Sequence, residues 1–349
     1  MDIMILKEDI IRLKQELGEK VVIPAHHYQN PEVVNVSDFV GDSYQLAVDC
    51  SHTAAEFIIF CGVYFMAEAA DILSDKKQTV IMPALDARCP MADQIGFNQM
   101  KSAFELIKKM TSKPIAPVIY MNSNAEVKNF CGNQGGSVCT SSNAAKIVHY
   151  YLARGKAVFF APDFNLGMNT ANQLKLTPEE VVTVTQDFKL LGIPERAKIF
   201  LWDGFCYVHK RFMLSDIDNL RQNYPNIRII VHPECDVEVV QAADDVGSTA
   251  KIYAEIKKSA AGSVWGVGTE NHFVQRIAAE FPDKIVLPLR KSICGNMAKI
   301  TLEKLLKSLQ SVQSHLQTKA DLKGIVQVVE KTKTNAYKAL HKMIEIVEK

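Results

Sequence analysis

The sequence predicts an α/β fold built of three similar small domains, each with a parallel sheet flanked by helices. Apolar runs rich in β-branched and aromatic residues alternate with helical stretches along the 349 residues, a pattern typical of parallel sheets. One α/β unit recurs three times, and polar residues directly follow its strands. Because ligands bind at the carboxyl ends of parallel strands, we expect the functional site at those ends.

Nine apolar runs are predicted to form strands. They are Val21–Ile23, Phe57–Phe60, Thr79–Met82, Ala116–Tyr120, Ala157–Phe160, Lys198–Leu201, Ile227–Val231, Ser263–Val267 and Lys284–Leu287. A helix is predicted from Thr177, because Thr177, Pro178 and Glu180 form a capping-box pattern. Beyond about Met297, apolar residues recur at three- and four-residue spacing and predict packed amphipathic helices.

The repeats share three features that occur in the same order. A strand ends in an imidazole or a phenol, and a Glu-Val pair begins six residues later, in His26–Val33, Tyr120–Val127 and His232–Val239. A hydroxyl-bearing turn then precedes a helix, in Gly41–Ser43, Thr140–Asn143 and Gly247–Thr249. The last strand runs into a loop with a cysteine, 63, 86 or 62 positions after the leading His or Tyr, at Cys89, Cys206 and Cys294.

We predict three α/β domains from these repeats. The first comprises residues 1–92 with 320–349, the second residues 93–205 and the third residues 206–319. We expect the domains to lie around a pseudo-threefold axis, so that their strand ends face one central junction. The active site is predicted at that junction.

Net charge and cysteine placement exclude several classes of protein. Lys and Arg number 40 and Asp and Glu 39, so the net charge of +1 gives no electrostatic footprint for nucleic acid or an anionic membrane. The first residues lack the basic and then apolar stretch of a secretory signal. The eight cysteines are dispersed, which argues against a disulfide scaffold. We therefore predict a cytoplasmic protein with neither a nucleic-acid nor a membrane partner.

The three equivalently placed cysteines are candidate metal ligands. Three thiolates from three loops suit a soft metal, and their wide spacing excludes a zinc finger or ribbon. An iron–sulfur cluster and a three-cysteine zinc site both remain open. In a cubane cluster, three cysteine ligands leave one iron open to bind substrate and act as a Lewis acid. The other cysteines are predicted to be packing residues, namely Cys50, Cys61, Cys131, Cys139 and Cys235.

Polar residues at the strand ends predict a small anionic substrate. Each hydroxyl turn offers backbone N–H groups and the positive end of a helix dipole, which favour phosphate or carboxylate. Imidazoles, phenols and a carboxylate in one partly closed cavity are candidates for proton transfer, because the cavity can tune their pKa values. These candidates are His26, Tyr28, Tyr120, His232 and Glu234.

A series of ordered motifs spans nearly the whole chain. The motifs are AHHYQNPEV, GDSYQLA, FCGVYFMAE, YMNSNAEVK, CTSSNA, WDGFCYVH, HPECDVEV, GST, GTE and the last cysteine with TLEKL behind it. This series resembles the quinolinate synthases, iron–sulfur enzymes of de novo NAD biosynthesis in bacteria and archaea. The resemblance implies a transferase that condenses iminoaspartate with dihydroxyacetone phosphate to quinolinate, phosphate and water. It also implies a central [4Fe-4S] cluster and suggests L-aspartate oxidase as the supplier of iminoaspartate.

The resemblance assigns roles to individual residues. It makes the three equivalently placed cysteines the cluster ligands, and it makes Tyr28, His232 and Glu234 the catalytic residues. The substrate-binding residues that it implies are His26, Ser43, Tyr120, Asn122, Ser141 and Thr249. Ser43 and Ser141 then suit the triose phosphate, and Thr249 suits a substrate carboxylate.

The chain departs from the usual pattern of this family at two positions. His27 stands where other members often carry Asn or Tyr, and Gly295 follows the last cysteine where Pro is common. Neither departure removes a functional group from the implied chemistry. Some relatives have two further cysteines close behind the third ligand, where they form a redox switch. The segment Cys294–Met297 contains no further cysteine, so we expect this regulation to be absent.

Two other functions remain open from the residues. An aconitase-like hydro-lyase would use the same open iron on another small polycarboxylate, whereas a non-catalytic iron–sulfur sensor would hold the cluster without turnover. The chain has no recognisable DNA-binding or signalling appendage, which argues weakly against a sensor. Dependence of turnover on dihydroxyacetone phosphate distinguishes the synthase from both.

Overall fold

A computed structural model describes residues 2–74 and 77–348 of the chain. Helices and strands alternate through these residues, and each of the nine expected runs contributes a strand. Most strand pairs are parallel. The predicted α/β class with parallel sheets is therefore confirmed.

The first repeat is preceded by a helix and contains one main sheet. Its elements are α1 (Ile3–Leu17), β1 (Val21–Val22), β2 (Pro24–His26), α2 (Pro31–Val34), β3 (Phe39–Gly41), α3 (Ser43–His52), β4 (Phe57–Ile59), α4 (Tyr64–Leu73) and β5 (Thr79–Ile81). Strands β1, β4 and β5 pair in parallel in that order. Strands β2 and β3 pair beside them with His26 opposite Gly41, and a parallel bridge joins β2 to the segment after β4.

The second repeat contains the largest sheet. Its elements are α5 (Phe97–Met110), β6 (Ile115–Tyr120), α6 (Ala125–Asn133), β7 (Ser137–Cys139), α7 (Ala144–Leu152), β8 (Ala157–Ala161), α8 (Phe164–Gln173), β9 (Val181–Val184), β10 (Leu190–Leu191) and β11 (Ile199–Trp202). The strand order is β10-β9-β11-β8-β6-β7, and only the β9–β10 pair within this sheet is antiparallel.

The third repeat and the carboxyl-terminal helices complete the described chain. Their elements are α9 (Leu214–Asn223), β12 (Arg228–Val231), α10 (Val237–Ala242), β13 (Asp245–Val246), α11 (Thr249–Lys258), β14 (Val264–Gly268), α12 (Asn271–Glu280), β15 (Ile285–Pro288), α13 (Leu302–Thr318), β16 (Ile325–Val326) and α14 (Glu330–Glu348). The third sheet has the order β13-β12-β14-β15 and is parallel throughout.

The repeat seen in the sequence is also a repeat of strand order. In the second and third repeats, the first strand lies between the second and third, and the last strand, β11 or β15, lies beside the third. The same order holds in the first repeat, where the first strand is divided into β1 and β2. In each repeat the carboxyl end of the first strand carries the leading His or Tyr. The last strand of each repeat, β5, β11 or β15, leads to the loop that carries the candidate cysteine.

The chain divides into two compact units. The first contains Met1–Cys89, Glu270–Glu280 and Ile293–Val328, and the second contains Pro90–Thr269, Phe281–Ser292 and Val329–Lys349. Within the first unit, α13 packs along α1, and β16 pairs antiparallel with β5. Buried apolar side chains such as Leu6, Ile10 and Leu309 form part of the core of this unit.

Within the second unit, the last helix packs closely on the second repeat. Helix α14 lies against α6 and β7, and a Cβ added at Gly132 would lie 1.8 Å from the carbonyl oxygen of Asn335. Glycine at position 132 therefore permits this helix contact. Helix α14 belongs to the second compact unit and α13 to the first. The division into three domains remains a prediction.

The helix predicted from Thr177 is a single 3₁₀ turn, Pro178–Glu180, followed by β9. The capping interaction forms, since the Thr177 amide donates to Oε2 of Glu180 at 3.0 Å. The residues behind it are Val-Val-Thr-Val, which alternate in burial and pair with β11 and β10. β-Branched residues favour such pairing over helix, so the cap starts only one turn.

Within residues 2–74 and 77–348, no helix combines the length and the apolar character needed to cross a bilayer.

Candidate active site

Glu234 lies at the centre of a buried hydrogen-bond network in the second unit. It follows β12, and it is 2% exposed. The hydroxyl of Tyr120 donates to Oε1 of Glu234 at 2.5 Å, and Nδ1 of His209 lies 2.7 Å from Oε2. On its other side, Nε2 of His209 lies 3.0 Å from Oγ1 of Thr269, and its ring stacks on His232 with centroids 4.4 Å apart. The network thus joins the ends of the first strands of the second and third repeats.

The electrostatics of this network favour an ionised Glu234. Burial alone would raise the pKa of Glu234, but the charges of His209 and His232 and the hydrogen bonds from His209 and Tyr120 lower it to about 2. Asp163 is a second fully buried carboxyl group, and burial together with the charge of Glu234 raises its pKa well above the usual value. The environment therefore shifts the pKa values of these two carboxyl groups in opposite directions.

Two asparagines on α8 hold the loop that carries Glu234. Nδ2 of Asn169 donates to the carbonyl oxygens of Pro233 and Cys235 at 2.9 Å each. Nδ2 of Asn165 donates to the carbonyl oxygen of Glu234 at 3.3 Å. The two asparagines are four residues apart and share one face of the helix. They act as an amide clamp, because they satisfy three consecutive carbonyl groups of a buried loop.

The three candidate metal ligands differ from the other cysteines in exposure. Cys89, Cys206 and Cys294 are half-buried, whereas the remaining five are fully buried. Burial raises the pKa of each of those five thiols, to about 12 for Cys50. Buried thiols with raised pKa values are poor metal ligands, because a ligand must be a thiolate. The donor chemistry of the three accessible cysteines fits an iron–sulfur cluster or another thiophilic metal.

Glu270 fixes the backbone beside Cys294 within the first unit. Its side chain is fully buried, and Oε1 accepts the amide hydrogen of Cys294 at 3.1 Å. Oε2 accepts from the backbone N–H groups of His272 and Phe273 at 2.7 and 3.3 Å, which places the carboxylate at the start of α12. One carboxylate therefore ties the loop of the third cysteine to a helix terminus.

Helix α12 also contacts the strand end of the first repeat. The Phe273 ring packs edge-on against His27 and Tyr28. Nη2 of Arg276 lies 2.9 Å from Nδ1 of His27, and a guanidinium only donates, so this nitrogen of His27 accepts. Burial, followed by the charges of His26 and Arg276, lowers the pKa of His27 to about 2. His27 is therefore a neutral structural residue rather than a general acid.

The other predicted residues of the first unit form a compact group at the same strand end. The Tyr28 amide donates to Nδ1 of His26 at 3.1 Å, and the two rings lie edge to face with centroids 4.7 Å apart. His26 is buried and Tyr28 half-buried. Ser43 is the first residue of α3, whose cap is the buried carboxylate of Asp42. These positions agree with residues that meet a ligand from a strand end and a helix start.

The anion-binding candidates of the second unit lie at two helix starts. Ser141 lines a cavity of about 480 Å³ together with Ser248, the cap of α11, and Lys251. Thr249 is the buried first residue of α11 and does not line this cavity. The cavity wall is rich in hydroxyl and amide groups and carries one lysine, which suits a small anion.

The loop after β6 contains two side-chain oxygens buried without a hydrogen-bond partner in the described part of the chain. They are Oδ1 of Asn122 and Oγ of Ser123. The loop is held by the fully buried Lys128, whose Nζ donates to the carbonyl oxygen of Ser123. Unsatisfied buried polar atoms are uncommon in folded proteins and mark places where a ligand or water completes the bonding. Asn122 therefore offers a buried acceptor oxygen two residues after Tyr120.

Comparison with known proteins identifies the family. Residues 8–345 match the model of the family described as quinolinate synthetase A protein. The chain is 41% identical to a quinolinate synthase of Listeria monocytogenes over 343 residues, covering 97% of this chain and 92% of that protein. A quinolinate synthase of Bacillus velezensis is also 41% identical over 344 residues, with the same coverage of each chain. The chain belongs to the quinolinate synthetase A family.

A solved structure of a Plasmodium falciparum E-1-hydroxy-2-methyl-but-2-enyl-4-diphosphate reductase covers 99% of this chain and 95% of that one. It shares 12% sequence identity and a TM-score of 0.23, which is too low to support a structural argument.

The sequence of this family member predicts part of the buried network. Tyr120 and His232 are predicted because they end equivalent strands, and Glu234 because it is a carboxylate directly behind one of these ends. His209, which bonds Glu234 directly, lies in the quoted motif WDGFCYVH but has no counterpart in the other repeats. Its spacing of three residues from Cys206 was the one local signal that pointed to it. Asp163, the cap of α8, and the amide clamp on α8 lie outside every repeated motif, and only the fold reveals them.

Proposed function

We propose that this chain is a quinolinate synthase that condenses iminoaspartate with dihydroxyacetone phosphate, giving quinolinate, phosphate and water. Family membership supports this activity, and the buried bonding of Glu234 to Tyr120 and His209 is the observation that carries it. Condensation followed by dehydration needs groups that accept and return protons in a site from which water is excluded. An ionised carboxylate between a phenol and an imidazole meets that need.

Three cysteines are proposed to hold a [4Fe-4S] cluster, namely Cys89, Cys206 and Cys294. Their equivalent positions in three repeats and their shared accessibility support the assignment. When bound, such a cluster supplies a Lewis acid, because one iron has no cysteine ligand. We further propose that the three repeats lie around a pseudo-threefold axis, as the family resemblance implies.

We propose that individual side chains transfer protons and bind the substrates. Glu234 and Tyr120 hold and move a proton at Oε1, and His209 and His232 balance the charge of the carboxylate. Tyr28 is a second proton donor on the side of His26. Ser43, Ser141 and Thr249 bind phosphate or carboxylate at helix starts, and Asn122 offers its unpaired oxygen to a substrate N–H or O–H group.

We propose that the protein acts in the cytoplasm and receives iminoaspartate from an L-aspartate oxidase, as the family resemblance implies. The quinolinate formed then enters NAD biosynthesis.

Two measurements on anaerobically purified protein test this proposal. We expect Cys89→Ala, Cys206→Ala and Cys294→Ala each to abolish bound iron and sulfide, whereas the matched control Cys139→Ala retains them. Full cluster retention in any of the three variants would falsify the ligand assignment. We expect quinolinate to form only with dihydroxyacetone phosphate. Turnover of a hydroxy acid without it would indicate a hydro-lyase, and an intact cluster without turnover would indicate a sensor.

A further inference from the structure

Three different metal-ligating side chains meet in the second unit. One donor atom of Cys206, one of His209 and one of Glu234 all lie within 4.8 Å of one another. Cys206 lies in the loop after β11, and His209 follows three residues later at the start of a 3₁₀ turn, His209–Arg211. Glu234 comes from the loop after β12. The group therefore combines a local Cys-x-x-His pair with a carboxylate from a neighbouring sheet.

The donor set is that of a mononuclear zinc-class site. Thiolate, imidazole and carboxylate are the side chains that bind Zn²⁺, and three protein ligands leave a fourth position for water. With metal–ligand bonds of about 2.0–2.3 Å, tetrahedral ligand atoms lie about 3–4 Å apart. The present spacing of up to 4.8 Å thus requires an inward shift of about 1 Å, and the half-buried Cys206 is the least buried of the three.

The two buried members are already oriented towards each other. Nδ1 of His209 lies 2.7 Å from Oε2 of Glu234, with the ring held by Thr269 at Nε2. A metal ion between them would replace the proton that this contact shares, and Nε2–H would donate to Thr269 as the outer partner of a ligating imidazole. The amide clamp of Asn165 and Asn169 fixes the backbone of Glu234. The site is therefore supported by its neighbours before any ion arrives.

We propose that the cluster-free chain binds one divalent transition-metal ion of the zinc class through Cys206, His209 and Glu234. Binding releases the thiol proton of Cys206 and the proton between His209 and Glu234, and no electron is transferred. A consequence that rests on the proposed function is that this ion competes with cluster assembly, because it occupies Cys206. It also removes Glu234 from the proton-transfer network. Zinc then acts as a reversible inhibitor of cluster assembly.

Zinc titration of the reduced, cluster-free full-length chain tests the site itself. With a chromophoric chelator as competitor, we expect one zinc ion per wild-type chain. We expect Cys206→Ser, His209→Gln and Glu234→Gln each to weaken binding at least about tenfold. The matched controls Cys89→Ser and Cys294→Ser should retain the wild-type affinity. Loss of zinc in these controls would assign the metal to a three-thiol site, and absence of a bound ion in the wild type would also refute the proposal.

Cobalt serves as a second probe that needs no buried substitution. Co²⁺ bound to the wild-type chain should show a thiolate-to-cobalt charge-transfer band that disappears in Cys206→Ser and persists in Cys294→Ser. A spectrum without this band in the wild type contradicts ligation by Cys206.

Reconstitution kinetics test the consequence separately. Preloaded zinc should slow the uptake of iron and sulfide by the wild-type chain, and a chelator should restore the rate. In His209→Gln, zinc should leave the rate unchanged. If no cluster forms under any condition, the proposed function fails while the zinc titration still decides the metal site. If zinc binds at the three residues and the uptake rate is unaffected, the competition is refuted.

Discussion

The hydroxyl of Tyr120 donates a hydrogen bond of 2.5 Å to Glu234, although the two residues are 114 positions apart in the sequence. Tyr120 ends β6 of the second repeat, and Glu234 follows β12 of the third. Both side chains are almost fully buried. The contact therefore joins equivalent strand ends of two repeats, which places a proton donor and an ionised acceptor at one point.

Removal of this donor should reduce turnover more than stability. In Tyr120→Phe, Oε1 of Glu234 loses its donor, so we expect the pKa of Glu234 to rise and kcat to fall at least about 100-fold, the lower range of general acid–base contributions. Steady-state assays across pH measure both effects. Tyr224→Phe, at an exposed position, should behave as the wild type. A Tyr120→Phe variant with wild-type kcat and pH profile would show that the contact is structural.

The amide clamp should matter for stability. Asn169→Ala leaves the carbonyl groups of Pro233 and Cys235 buried without their donor, and each such loss costs about 1–3 kcal/mol. We expect the free energy of unfolding, measured by urea denaturation, to fall by at least about 1 kcal/mol. Asn172→Ala, on the exposed side of the same helix, should change it by less than about 0.5 kcal/mol. Equal effects of the two substitutions would contradict the clamp.

His27 should make the protein sensitive to acid. Its pKa falls from 6.5 to about 2 on folding, because burial and the charges of His26 and Arg276 disfavour the imidazolium. The neutral form is stabilising above pH 6.5, and this contribution is lost as pH falls towards 2, since the unfolded chain binds the proton first. Between pH 7 and pH 5 the loss amounts to about 2 kcal/mol.

The matched variant for this prediction is His27→Asn, whose amide oxygen can accept from Arg276 but does not titrate. Urea denaturation at pH 7 and pH 5 should show a smaller loss of stability in this variant than in the wild type. Equal pH dependence in both proteins would mean that His27 keeps an ordinary pKa.

Glu270 should support the third candidate cluster ligand. Glu270→Gln replaces one acceptor oxygen by an NH₂ group, so that either Cys294 or the start of α12 loses its hydrogen-bond acceptor. We expect a loss of about 1–3 kcal/mol in stability and fewer iron atoms retained per chain after anaerobic gel filtration. Glu56→Gln, at an exposed position of the same unit, serves as the control. Unchanged iron retention in Glu270→Gln would limit this residue to helix capping.

Local sequence patterns predicted the strands well because strand formation in these sheets depends on short apolar, β-branched runs. Val181–Val184 is the instructive exception, since a capping box before it predicted a helix. The capping hydrogen bond forms, but pairing with β11 and β10 outweighs continuation of the helix. A local start signal thus loses to backbone hydrogen bonds that only neighbouring strands provide.

The residues of the candidate site could be predicted from the sequence where they occupy equivalent positions in the three repeats. Repetition separated Cys89, Cys206 and Cys294 from five other cysteines, and the structure shows the same division in exposure. The cluster ligation itself remains a prediction. His209 and Asp163 have no equivalents in the other repeats, so the repetition could not predict them.

The sequence by itself determined the α/β class, the positions of nine strands, the threefold repeat and the family, because burial and periodicity are properties of short segments. Only the tertiary structure decided that Tyr120, His209 and Glu234 share one network and that Asn165 and Asn169 hold its loop. It also decided that α13 packs on α1 and α14 on α6. These outcomes depend on which buried polar groups and apolar faces find partners across long stretches of chain, and no local pattern specifies such partners.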